Sequence, residues 1–143
     1  MENQHRILIA DDNVANRELL EAYLDGIECT MEIAVDGEET IAKVDSFKPD
    51  LILLDVMMPK LSGFEVCRQI KDNPDTRRIM ILMVTALNEL GDIERAVEAG
   101  TDDFLSKPVQ KVELLKRVQN MLRLKDVTDE VERLRRYIEE MEK

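Results

Sequence analysis

Short apolar runs alternate with amphipathic stretches from the start of the chain to about residue 122. Ile7-Leu8-Ile9-Ala10 reads as a buried strand, followed by Asp11-Asp12-Asn13 and an amphipathic helix to about residue 24. Met31-Glu32-Ile33-Ala34-Val35 is a second strand, closed by the turn signal Asp36-Gly37. Residues 38–47 carry helical spacing through Ile41 and Val44 and stop before Pro49, because the residue preceding a proline is pushed out of the helical region. Leu51-Ile52-Leu53-Leu54 is a third strand whose unbroken apolarity implies burial on both faces. A helix over 64–73, a strand over 79–84 and a helix over 90–99 follow, with Gly100 where a left-handed residue closes a helix. Phe104-Leu105 is a short fifth strand, and a last helix starts after Pro108. Five strands alternating with five helices predict a parallel sheet covered on both sides by right-handed crossovers. The fold class is doubly wound α/β.

The last segment breaks this rhythm. Residues 123–143 hold six basic and seven acidic residues, a net charge of −1, which leaves −10 on residues 1–122. Leu124, Val127, Val131, Leu134, Ile138 and Met141 recur at spacings of three and four, the seam of a coiled coil. Val131 and Ile138 fall at a positions and Leu134 at d, a choice that favours a parallel two-stranded assembly. Glu130 at g and Arg135 at the next e form an attractive interchain pair. The rival is a solvated helix end braced by Glu132–Arg136 and Glu139–Lys143 at i,i+4. Phase separates the two. Leu115, Val118 and Leu122 are expected on the domain's own sheet, and the step from Leu122 to Leu124 turns the apolar stripe by about 200° at about 100° per residue. The second stripe then faces a partner. The expected organisation is a domain over 1–122 and a heptad helix over 123–143 that forms a parallel homodimer.

Composition narrows the function. The 143 residues carry 20 Lys and Arg against 31 Asp and Glu, a net charge of −11, and 44% are hydrophobic. That is enough apolar material for one core, while the acidity opposes a nucleic-acid partner. With 3% aromatic residues and no Trp, base-stacking platforms are also disfavoured. Cys29 and Cys67, 38 positions apart, fit neither a disulfide framework nor a metal clip and read as small core or boundary residues. The single histidine, His5, leaves no material for a zinc site or a histidine triad and carries no expected role of its own. No apolar run approaches the about 20 residues of a membrane span, and the first four residues are no signal peptide. A reducing, cytoplasmic setting is expected.

Chemistry gathers where open α/β sheets bind ligands, at the carboxyl ends of the strands. Asp11 and Asp12 follow the first strand, Asp55 the third, Thr85 ends the fourth, and Lys107-Pro108 follows the fifth. Three acids on one rim repel one another and raise each other's pKa unless a cation intervenes. Oxygen ligands without His or Cys point to Mg²⁺. A divalent ion beside a lysine suits a phosphoryl group, and a carboxylate in line with it can form an aspartyl phosphate.

At these residues the chain resembles the receiver domains of bacterial two-component response regulators. Asp11-Asp12, Asp55-Val56-Met57-Met58-Pro59 with Gly63, Thr85-Ala86 and Lys107-Pro108 match in order, spacing and strand-end placement, and the likeness covers residues 5–122. Within that family it is greatest to the first receiver of PleD-type diguanylate cyclase response regulators, through the run from Leu53 to Arg77 and the run from Thr85 to the coiled segment. The resemblance implies a flavodoxin-like strand order of 2-1-3-4-5. It implies Asp55 as phosphoacceptor, Asp12 as a direct Mg²⁺ ligand, Asp11 assisting through water, and the main-chain carbonyl of Met57 completing the set. It implies that Lys107, the Thr85 hydroxyl and the Ala86 amide bind phosphoryl oxygens, that Phe104 is the aromatic switch, and that the Lys107–Pro108 bond is cis. A histidine kinase or phosphotransfer protein is the implied donor.

Blander readings stand beside these. Asp12 and Asn13 can cap the first helix, Lys107 can pair with Asp102 or Asp103, and Phe104 can be a plain core aromatic. A receiver used as an unphosphorylated dimerising scaffold is the main alternative, and a receiver fragment of a larger regulator with a cyclic-di-GMP or kinase output is another. A phosphatase with an aspartate nucleophile wants a second acid two residues on, where this chain has Met57. In the family, the positions of Met57 and Leu87 flank the path of the hydrolytic water. Both are apolar, so a phosphoaspartate lasting hours is expected.

Overall fold

A computed structural model describes residues 4–86 and 90–142, with the Leu90 side chain also left out. Strand β1 (His5–Ala10) leads to helix α1 (Val14–Leu24), followed by β2 (Cys29–Ala34) and α2 (Gly37–Phe47). Then come β3 (Leu51–Leu54), α3 (Gly63–Asp72), β4 (Met80–Thr85), α4 (Leu90–Ala99), β5 (Asp103–Ser106) and α5 (Lys111–Met141). The strands form one parallel sheet in the order β2-β1-β3-β4-β5, the doubly wound arrangement anticipated from the alternation.

Alternation along the strands sorts the core into two layers. Leu8, Ala10, Ile52, Leu54, Ile81 and Met83 face α2, α3 and α4 through Val44, Phe64, Val66, Ile70 and Ala96. Ile7, Ile9, Leu51, Leu53, Leu82 and Val84 face α1 and α5 through Leu20, Leu24, Leu114, Val118 and Met121. Both faces of the central strands are therefore covered, which is why β3 carries no polar residue.

Boundaries move by one or two residues. β2 starts at Cys29 and stops before Val35, because its register on β1 begins at His5↔Cys29 and runs out at Ala10↔Ala34. Asp36 and Ser62 cap α2 and α3 by accepting from Glu39 N and Glu65 N, and Gly100 closes α4 at φ +93°.

Helix α5 runs unbroken across the position where the sequence pattern changes. On its first half the sheet-facing residues are Leu114, Val118, Met121 and Leu122, all buried, while Leu115 is only half-buried. The expected Leu115, Val118 and Leu122 all pack on this layer, Leu115 at its edge, and Leu114, which the pattern did not single out, is the more deeply buried of the two neighbours. In the second half Leu124, Val127, Val131, Leu134, Ile138 and Met141 are exposed, from 49% at Val131 to 66% at Met141. The domain instead meets this half through Lys125, Asp126 and Asp129. Lys125 is buried and bonded to Asp129, Arg78 Nη1 lies 3.7 Å from Asp129, and His5 Nε2 lies 3.0 Å from Asp126. His5 thus holds a specific contact that its isolation in sequence did not suggest. Of the expected braces, Glu132 pairs at 3.9 Å with Arg135 at i,i+3 rather than with Arg136, and Lys143 lies outside the described residues. Among the described residues no helix is long and apolar enough to cross a membrane.

Candidate functional site

All five strands point the same way, so their carboxyl ends share one rim. The ladder continues one residue past the strands, with Asp55 N donating to Ala10 O at 2.9 Å and Lys107 N to Thr85 O at 2.9 Å. This draws Asp11, Asp55, Thr85 and Lys107 together from four separate segments. Asp11, Asp12 and Asp55 each offer a carboxylate oxygen, and these lie within 4.8 Å of one another. Asp11 and Asp55 are 2% and 6% exposed, whereas Asp12 stands in solvent.

Lys107 bridges the two buried acids, its Nζ 3.1 Å from Asp11 Oδ2 and 3.3 Å from Asp55 Oδ2. The rival partners are taken elsewhere: Asp102 by Lys71 at 2.8 Å and Asp103 by Arg117 at 2.7 Å. Backbone amides hold the remaining oxygens, Asn13 N donating to Asp11 Oδ1 at 2.9 Å and Met57 N to Asp55 Oδ1 at 3.2 Å. The cap of α1 is Asn13, whose side chain accepts from Asn16 N at 3.0 Å, so Asp12 is not consumed in capping. On the other side of the loop, Arg17 Nη1 donates to the Asp11 carbonyl oxygen at 2.9 Å, a contact no sequence signal indicated.

Burial pushes the Asp55 carboxyl above its ordinary value; Lys107 opposes the rise and the Asp11 charge adds to it. Crowding was the expected cause, but removal from water is the larger one. The Thr85 hydroxyl is fully buried and has no hydrogen-bond partner among the described residues. A buried hydroxyl left unpaired costs about 1–3 kcal/mol, which a ligand oxygen could offset. Ala86 beside it is exposed.

Phe104 is half-buried against the layer formed by α2, α3 and α4, and the Lys107–Pro108 bond is cis. The Met57 side chain stands 63% exposed, and Leu87 lies outside the described residues. Gly63 presses on the loop that follows β3, where an added Cβ would meet the Asp55 carbonyl oxygen at 2.5 Å. The cysteines stay out of the chemistry: burial pushes the Cys67 thiol up to about 12 and also raises that of the half-buried Cys29. The donor set for a cation is therefore all oxygen, hard and acidic, which suits Mg²⁺.

An acid cluster, a lysine bridging it and a buried threonine, all at strand ends of a 2-1-3-4-5 parallel sheet, define a phosphoryl-signalling receiver. The response regulator receiver domain family matches residues 7–119, and the chain belongs to that family. It is 46% identical over 126 residues to the response regulator PleD of Caulobacter vibrioides, covering 88% of this chain but 28% of PleD. The chain thus spans under a third of that relative's length. Among solved structures, a response regulator receiver domain protein (CheY-like) from Methanospirillum hungatei superposes with a TM-score of 0.81 at 26% identity, covering 88% of this chain and 99% of the other. The receiver domain of a sensor histidine kinase from Pseudomonas aeruginosa, solved with a magnesium ion coordinated in its active-site cleft, superposes with a TM-score of 0.77. It is 30% identical, covering 84% of this chain and 98% of that one.

Proposed function

We propose that the chain is a phosphorylation-controlled switch in which Asp55 accepts a phosphoryl group from a phosphohistidine on a histidine kinase or phosphotransfer protein. The observation that carries this reading is the bridge from Lys107 to a buried Asp55 and Asp11. It keeps a cation where phosphoryl oxygens must be neutralised. Asp11, Asp12 and Asp55, with the Met57 carbonyl, would hold Mg²⁺, which when bound supplies the charge that balances the phosphoryl oxygens.

An Asp55 carboxylate oxygen attacks phosphorus. The new O–P bond forms as the N–P bond of the donor breaks, and the imidazole nitrogen keeps the bonding pair. Lys107 exchanges its contact with the Asp55 carboxylate for a phosphoryl oxygen. The Thr85 hydroxyl and the Ala86 amide donate to others. Drawing Thr85 towards the new dianion frees space that Phe104 fills, and the face of α4, β5 and α5 changes shape. Moving such a switch from 1:99 to 99:1 takes about 5.5 kcal/mol of differential stabilisation, within reach of several charge-assisted hydrogen bonds. The chain modifies itself and turns over no other substrate.

The output is the distal half of α5, acting as a parallel homodimer in a cytoplasmic setting without nucleic-acid contacts. In heptad terms Lys125, Asp126 and Asp129 occupy b, c and f, and these are the residues docked on the domain. The a and d residues lie on the opposite side and are exposed.

The test is incubation with acetyl phosphate and Mg²⁺, read by intact mass, on the wild type and on Asp55→Asn. One phosphoryl group on the wild type and none on the variant is the expected result. Equal incorporation by both, or none by either with a phosphorylated kinase also present, would overturn the reading.

A further inference from the structure

The main-chain carbonyl of Asp11 lies beyond the last rung of the sheet. The β1 ladder to β2 ends with Asp11 N donating to Ala34 O at 3.1 Å, and that to β3 ends with Asp55 N donating to Ala10 O. The Asp11 carbonyl oxygen therefore has no strand to pair with, and it belongs to the same peptide unit as Asp12 N. Three carboxylate oxygens crowd the neighbourhood. Left free, this peptide could rotate and carry the exposed Asp12 carboxylate with it.

Arg17 meets that carbonyl. It sits on the first turns of α1, is half-buried, and its Nη1 donates to the Asp11 oxygen at 2.9 Å. The other side of the loop is held by Asn13, whose amide bonds Asp11 Oδ1 and whose side chain caps α1. Arg17 thus holds the Asp11-Asp12 peptide from the first turn of α1, while Asn13 at the cap of that helix holds the Asp11 carboxylate.

We propose that Arg17 is a positioning residue for cation binding: by anchoring the Asp11 carbonyl it sets the direction of the Asp12 carboxylate. This rests on the phosphoacceptor reading above. Groups that orient ligands from behind typically change metal affinity by about tenfold or more when removed.

Positioning and plain electrostatics predict opposite signs here. A guanidinium beside three carboxylates repels an incoming cation, so if only its charge mattered its loss would tighten Mg²⁺ binding. If it positions Asp12, its loss weakens binding.

The experiment is calorimetric titration with Mg²⁺ of the wild type, Arg17→Met and Arg17→Lys, alongside urea unfolding of each in metal-free buffer. The expected result is that Arg17→Met binds Mg²⁺ about tenfold more weakly, and that Arg17→Lys recovers part of the loss. A methionine variant that binds as tightly as the wild type or tighter overturns the proposal. So does a lysine variant no better than methionine, because the side chain would then act only by filling space. Unfolding midpoints that fall equally for both variants leave the Mg²⁺ comparison intact, since each dissociation constant is measured on folded protein. A wild type that takes up no Mg²⁺ fails the phosphoacceptor reading itself and this proposal with it.

Discussion

The two halves of α5 are one helix with two kinds of partner. In the first, Leu114 and Val118 are completely buried against the sheet; in the second, residues of the same chemistry such as Leu134 and Ile138 are more than half exposed. Helical geometry is the same in both. What differs is the face on which the apolar stripe falls: between Leu122 and Leu124 the stripe leaves the domain, and charged residues take over the docking. Helix formation and helix burial are thus separate decisions. The first follows from local hydrogen bonding, the second from which side of the cylinder meets a surface.

The largest effect that tests this contrast is Leu114→Ala. The side chain is fully enclosed, so its truncation is expected to cost about 2–5 kcal/mol in urea unfolding monitored by circular dichroism. Leu134→Ala in the same assay, at concentrations where the chain is monomeric, is expected to change almost nothing. Equal losses would erase the distinction between the halves.

Next in size is the seam. Val131→Lys combined with Ile138→Lys places like charges at two of the a positions. Sedimentation equilibrium is expected to show a dissociation constant raised about a hundredfold or more, corresponding to about 2.7 kcal/mol. The unfolding midpoint of the domain should stay where it was. A dimer untouched by the double substitution would mean that copies associate through another face, and a wild type that is monomeric throughout would remove the coil from the proposal.

The smallest effect concerns the boundary itself. Asp129→Asn removes the acid facing Lys125 and Arg78. Partly exposed ion pairs contribute little, so a loss of about 1 kcal/mol or less is expected in the same unfolding assay. A larger loss would show that the charged contacts, and not the apolar stripe of the first half, hold the distal helix against the domain.

Much of the site was legible because strand ends are legible. An apolar run that stops at an acid, at Ala10-Asp11 and at Leu54-Asp55, announces both the strand and the residue on its rim. Lys107 was readable by the same logic, but its partner was not: Asp102 and Asp103 are nearer in sequence, and only the parallel register brings Asp11 and Asp55 to its ammonium. Arg17 escaped because its partner is a main-chain carbonyl, and a carbonyl leaves no trace in a residue pattern. His5 escaped for a related reason, since Asp126 lies 121 positions away.

The sequence by itself determined the alternation of strands and helices, the acids and the lysine that chemistry could use, and the existence of two apolar stripes on the last helix. These follow from local periodicity, because side chains repeat every two residues on a strand and about every 3.6 on a helix whatever surrounds them. Tertiary structure alone decided that Leu114 is fully enclosed while Leu115 packs only at the edge of the same layer. It also decided that burial, more than neighbouring charge, raises the Asp55 carboxyl, and that Arg17 closes the Asp11 carbonyl. Those outcomes depend on distances between segments far apart in the chain and on how much water is excluded there. Neither quantity exists until the segments have packed.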